Sequence, residues 1–253
     1  HLGCTCDICE SAREDGNKQK YVGSVMVKEN SQEDSVRYLI DASPDIRFQI
    51  KGDYLDGVFL SHGHLGHIGG LPFFGTEGLD ANGLSIHCSS DMKNFIMKND
   101  PYRLMVDRGQ IEVREFEDGD KVEVQGGSIE TRKVQHRHVN TDSTSFMIEG
   151  QEKKLYYVSD IDEWTEDAVR SVEEADIAVI DGTFWSSDEI DRYEDVPHPP
   201  IKHSMEKFAD VDTEIHFTHL NHTNPALRKD SPERTELEET GFGVVERGQV
   251  FEI

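Results

Sequence analysis

The chain has 253 residues, with 51 acidic against 26 basic side chains and a formal net charge of −25. That length allows one large core or two modest ones, and no apolar run approaches the roughly 20 residues of a membrane-spanning helix. The carboxylates are spread through the chain, so they repel nucleic-acid phosphates at ordinary ionic strength; this disfavours, without excluding, a nucleic-acid substrate. The same acidity suits a halophilic surface, since at about 1 M salt the Debye length shrinks to ~3 Å and the self-repulsion is screened. No signal peptide is visible, although the chain starts abruptly at His1-Leu2-Gly3-Cys4, and a cytoplasmic location is expected.

The first informative stretch is Cys4-Thr5-Cys6-Asp7-Ile8-Cys9, which holds three of the four cysteines. Disulfides within so short a span are strained, so a metal is the better use of them. Three thiolates need a fourth ligand to close a tetrahedral zinc site. Cys88, in the strand-like run Leu84-Ser85-Ile86-His87-Cys88, reads as a core cysteine. The fourth ligand is therefore expected to be a histidine from elsewhere.

Residues 21–27 and 35–40 read as two strands of a hairpin joined by the polar stretch 28–34. A short helix is expected over 44–50 and a buried strand over 55–60. That strand runs into Leu60-Ser61-His62-Gly63-His64-Leu65-Gly66-His67-Ile68-Gly69-Gly70-Leu71. His62, His64 and His67 lie on a tight turn where imidazoles converge, and imidazole suits zinc, iron, copper and nickel. Gly69-Gly70 permits close backbone packing behind the turn.

Helical character follows at 71–75 and 91–97, with a strand over 84–88 between them. Short alternating strands are expected at 111–116, 121–124 and 128–134. The last of these ends in Val134-Gln135-His136-Arg137-His138, with another strand over 143–148. Leu155-Tyr156-Tyr157-Val158-Ser159-Asp160 is a strand ending in a carboxylate, with Asp162 close behind. A helix over 165–173 precedes a strand over 175–181, which ends in Asp181-Gly182-Thr183-Phe184-Trp185. Asp181 suits either an active-site loop or a plain turn. The proline-rich loop Val196-Pro197-His198-Pro199-Pro200-Ile201-Lys202-His203 leads into a helix over 204–209. A strand over 214–218 ends at His219, with His222 three residues on. His216 is read as structural, and 243–253 as a final strand pair.

Taken in order, these motifs resemble the metallo-β-lactamase superfamily, from Gly3 to about Gly248. Within it they are most similar to the branch of pyrroloquinoline quinone biosynthesis protein B and the phosphoribosyl cyclic phosphodiesterases. The resemblance implies one domain, 1–253, folded as an αββα sandwich: two mixed β-sheets flanked by helices. That branch's N-terminal strand and glycine loop would precede His1. The superfamily pattern H-x-H-x-D-H appears here as H-x-H-x-G-H, with Gly66 in place of a ligand of the second metal. The resemblance makes His62, His64, His67, His136, Asp160 and His219 the active-site metal ligands. His136 is chosen because Arg137 follows it and Phe146 lies ten residues on. Asp162 is the alternative to Asp160. His222 completes the site of Cys4, Cys6 and Cys9, expected to hold structural zinc. Asp41, His138, Asp162 and Asp181 are assigned supporting roles around the metal. His138 alternatively faces substrate or is simply solvated. His198 fits the proton-donor position of the phosphodiesterases better than His203, and Asp160 is expected to share in catalysis by holding the second metal or orienting water.

Two classes of function follow. One is a metal-dependent hydrolase using metal-activated water on a phosphodiester or similar ester. The other is an oxygenase like the quinone-pathway protein; a metal-binding protein without turnover is the blander alternative. Zinc, manganese or iron is expected at the histidines, with a weak second site because Gly66 offers no side chain. The expected partners are a small-molecule substrate and, as one option, a second copy of the chain, without a membrane.

Overall fold

The computed structural model describes residues 1–29, 36–50, 54–137, 141–191 and 193–253. The chain divides into two compact units. One contains His1–Tyr21 and Glu152–Ile253; the other is Val22–Gln151. Among the described residues no helix is long and apolar enough to cross a membrane.

The chain opens with helix α1 (Asp7–Glu14), which the sequence reading did not foresee. In the 22–151 unit, β1 (Val25–Lys28) pairs antiparallel with β2 (Arg37–Ile40). The expected hairpin is there, but its connection at 30–35 lies outside the described residues. After the single turn α2 (Ile46–Gln49) come β3 (Gly57–Phe59), the short helix α3 (Leu65–Ile68) and β4 (Leu84–Cys88). Helices α4 (Ser90–Lys98) and α5 (Tyr102–Asp107) precede β5 (Ile111–Glu115). The strand order is β1-β2-β3-β4-β5, parallel from β2 onward. Parallel strands are covered on both faces, and β3 accordingly is all apolar and fully buried. Phe59 stacks on His87 at 4.5 Å and meets Phe146 edge-on at 5.8 Å. Burial pushes the Cys88 thiol up to about 12, as befits a core cysteine. The residues around 71–75, read as helical, make a single 3₁₀ turn over Leu71–Phe74. Strands β6 (Lys121–Val124), β7 (Gly127–Val134) and β8 (Ser143–Glu149) form an antiparallel meander.

The other unit resumes with β9 (Lys154–Val158), helix α6 (Glu166–Glu174) and β10 (Ile177–Asp181). Thr165 caps α6 by accepting a hydrogen bond from the Ala168 N–H, and Glu166 and Asp167 favour the positive end of its dipole. Strand β10 lies parallel between β9 and β11 (Glu214–Thr218), and all five of its residues are buried. Helix α7 (Ile201–Lys207) starts three residues earlier than the sequence suggested. The reason is Pro200, whose fixed φ ends the extended Pro199-Pro200 segment and leaves Ile201 free to begin the helix. After α8 (Pro232–Glu239), only Gly243–Val244 forms a strand, β12. The expected strand pair over 243–253 is therefore wrong: a turn bonded from the Gln249 N–H to the Glu246 carbonyl, with Gly248 at φ 82°, interrupts it.

Candidate metal centres

Cys6 sits at the N-cap of α1, so the helix places Cys9 one turn further on, beside it. The Cys6 N–H donates to Cys4 Sγ at 3.4 Å. His222 arrives from the loop after β11, and its Nδ1 lies 3.6, 3.7 and 3.7 Å from the Sγ atoms of Cys4, Cys6 and Cys9. One ring nitrogen has at most one proton and cannot donate to three sulfurs at once. The separations match the edges of a tetrahedral zinc site, where bonds of about 2.3 Å to sulfur and 2.05 Å to nitrogen set the ligand atoms ~3.6 Å apart. The contact with His222 pulls the Cys6 thiol down to about 6, favouring the thiolate that a metal needs.

In the 22–151 unit, three of the expected ligands converge. His62 Nε2 and His64 Nδ1 are 3.0 Å apart, and the His136 ring lies 5.2 and 5.1 Å from theirs. The His67 ring is 4.2 Å from His62. The whole turn hangs on Asp41, which is fully buried. Asp41 follows β2 with φ 65°, a left-handed conformation that aspartate tolerates better than most residues. Its carboxylate accepts from the Ser61 N–H at 2.8 Å, from Ser61 Oγ at 2.9 and 2.8 Å, and from His67 Nδ1 at 2.7 Å. Ser61 Oγ also lies 3.0 Å from His62 Nδ1. Gly63 is anchored by its N–H to Thr141 Oγ1 at 2.8 Å. Behind the turn, the Gly70 N–H bonds to the Ala42 carbonyl, and a Cβ on Gly70 would fall 2.2 Å from the Ser43 carbonyl oxygen. No larger residue fits there without moving backbone. Gly66 is different. Its φ is ordinary, and a Cβ there would meet only Val22 Cγ1 at 3.4 Å.

In the other unit, Asp181 ends β10 and is equally buried. It accepts from the Thr183 N–H at 2.9 Å, Thr183 Oγ1 at 2.7 Å, the Ile161 N–H at 3.1 Å and His198 Nδ1 at 2.6 Å. Thr183 Oγ1 lies 3.0 Å from His219 Nδ1, and His219 Nε2 lies 3.5 Å from Asp160 Oδ1. His219 holds a strained φ of 60° just beyond β11. His198 is buried, whereas His203 is exposed on α7. Asp162 is half-buried and, among the described residues, joins none of the converging donor groups. His138 lies outside the described residues. His216 pairs with Glu214 at 2.7 Å and packs on Phe251, away from these groups.

The sequence reading did not single out Ser61, Thr141 or Thr183. Ser61 and Thr183 carried a signal all the same: each is a hydroxyl residue one or two positions from a residue already singled out. Thr141 is far in sequence from Gly63 and left no such trace.

The sequence matches the family described as the Beta-lactamase superfamily domain over residues 36–233. The chain belongs to that superfamily. It is 26% identical over 287 residues to the coenzyme PQQ synthesis protein B of Ruegeria pomeroyi, spanning 97% of this chain and 92% of the relative. Among solved structures it is similar to Zn(2+)-bound PqqB from Methylobacterium extorquens, with a TM-score of 0.86, 22% identity, and coverage of 100% and 95%. It is also similar to a diphosphatase from the PhnP family, with a TM-score of 0.70, 21% identity, and coverage of 100% and 91%. At those identities the likeness carries the fold: the superfamily's αββα sandwich, with mixed sheets and flanking helices. The expected fold class and branch are both met.

Proposed function

We propose that the protein is a metal-dependent hydrolase acting on a phosphodiester or similar ester. The observation that carries this is the meeting of His62 Nε2 and His64 Nδ1 at 3.0 Å, with His136 beside them. Bonds of about 2.0 Å from nitrogen to zinc put neighbouring ligand atoms ~3.3 Å apart, so the pair suits one shared cation of the zinc, manganese or iron type. Bound there, such an ion supplies Lewis acidity and acidifies water toward a pKa of about 7. The chain's own residues do the rest. Asp41 orients His67 through Nδ1. His198 donates its Nδ1–H to Asp181, so a proton for a leaving group would be carried on, and given from, Nε2. Asp160 and His219, paired in their own unit, are the further ligands that the superfamily pattern supplies. The cysteine tetrad is a separate structural zinc site, closed by its own four donors.

The likeness to a diphosphatase from the PhnP family favours hydrolysis. A second reading, oxygenase-type chemistry of the coenzyme PQQ synthesis protein B kind, is favoured by the nearly full-length resemblance to that relative. Metal analysis of protein purified without added metal, followed by a phosphodiester screen, separates them. Metal-dependent ester cleavage that His64→Ala abolishes supports the hydrolase. Dioxygen consumption by iron-loaded protein, with no ester cleaved under any metal, overturns it.

A further inference from the structure

Each unit contains a buried carboxylate, a hydroxyl and two histidines in the same arrangement. Asp41 meets His67 Nδ1 directly and reaches His62 Nδ1 through Ser61 Oγ. Asp181 meets His198 Nδ1 directly and reaches His219 Nδ1 through Thr183 Oγ1. A hydroxyl has one proton to give. An ionised carboxylate has none and takes the Ser61 proton at 2.8 Å and the Thr183 proton at 2.7 Å. The hydroxyl oxygen then faces imidazole with lone pairs only. His62 Nδ1 and His219 Nδ1, each 3.0 Å away, must both be donors.

We infer that Ser61 and Thr183 are positioning residues that lock His62 and His219 as Nδ1–H tautomers, relaying the orientation set by Asp41 and Asp181. The consequence is that Nδ1 of each ring is committed to the hydroxyl, which leaves Nε2 as the atom to hold a metal. In His62 that atom faces His64 Nδ1; in His219 it faces Asp160. One carboxylate thus orients two histidines, one by contact and one through a hydroxyl. The backbone holds both hydroxyls fixed: the Ser61 N–H bonds to Asp41, and the carbonyl of Thr183 accepts from the Asn221 N–H at 2.9 Å and from Asn224 Nδ2 at 3.3 Å.

This inference rests on the metal reading for its purpose, but its test does not depend on turnover. Protein labelled with ¹⁵N-histidine, as purified and zinc-loaded, is examined by long-range ¹H–¹⁵N spectra. His62→Gln and His219→Gln assign the two rings. The wild type is expected to show the proton on Nδ1 of both. Ser61→Ala and Thr183→Val should each lose the fixed Nδ1 proton on the matching ring only. Each should also weaken metal binding at the histidines by about 10–100-fold in chelator competition. Ser61→Thr and Thr183→Ser, which keep the hydroxyl, should restore both. An Nε2 proton in the wild type overturns the inference without any variant needing to fold. So does an unchanged Nδ1 proton in folded Ala and Val variants. If the hydrolase reading fails, ester cleavage is absent while these spectra still show Nδ1–H; if the inference fails, the spectra fail whatever the turnover.

Discussion

The cysteine tetrad and the histidine cluster each gather donor atoms that fit one cation, in opposite ways. The tetrad draws three donors from six consecutive residues and one from His222, and every member offers one ligand atom. Thiolates bring their own charge, so they need only to be brought close, and the first turn of α1 does that. The histidine cluster is built from neutral rings that must be aimed. Its aiming depends on residues that bind no metal: Asp41, Ser61, Gly70 and Thr141 in that unit. The difference separates a closed site, suited to stability, from an open one, suited to chemistry.

The comparison breaks most visibly at Cys6. Cys6→Ser should lose one zinc per chain and lower the thermal midpoint more than any other substitution considered, because metal binding at a closed site contributes directly to folding. Metal content and melting curves measured together check this; a variant that melts like wild type while keeping its zinc would contradict the closed-site assignment.

The second largest effect is expected at Asp41. Asp41→Asn keeps one acceptor for Ser61 but turns a donor toward the Nδ1–H of His67. The mismatch in a fully buried position should cost about 1–3 kcal/mol in denaturant titration. Metal at the histidines should weaken while the cysteine zinc stays. Asp181→Asn should destabilise by a similar amount, since Asp181 accepts the same three kinds of bond, from backbone N–H, hydroxyl and imidazole. A large loss at one aspartate and none at the other would end the parallel between them.

These contrasts also explain what was legible in the sequence. Metal ligands cluster at short spacings, so Cys4–Cys9 and His62–His67 announce themselves. Strands β3 and β10 are visible because full burial makes them continuous apolar runs. The helices α1, α5 and α8 were missed because each is at most 8 residues long, too short for a helical period to repeat clearly. The supporting hydroxyls are illegible for another reason. Serine and threonine are common everywhere, and only the folded geometry shows that Ser61 and Thr183 share a proton with a buried carboxylate.

Gly66 sharpens the comparison by asking whether the open site is short of a ligand. Its φ is ordinary and its surroundings admit a Cβ, so no backbone strain opposes a side chain. Gly66→Asp is expected to fold normally and to raise affinity for a second metal in calorimetric titration. Two metals bound tightly at the histidines of the unmodified protein would show instead that another residue supplies the missing oxygen.

The smallest effect concerns the whole surface rather than either site. With a net charge of −25, the thermal midpoint should rise from low salt to molar potassium chloride as repulsion between carboxylates is screened. A flat or falling midpoint leaves an ordinary acidic protein and removes the halophilic interpretation.

The most direct test of the two-site account is the zinc content of wild type and His64→Ala, each purified without added metal and shown to be folded. The account predicts that His64→Ala loses the metal of the histidine cluster but retains one zinc per chain, held by Cys4, Cys6, Cys9 and His222. Folded wild-type protein free of zinc, or a folded His64→Ala protein that has lost all of it, would contradict the account.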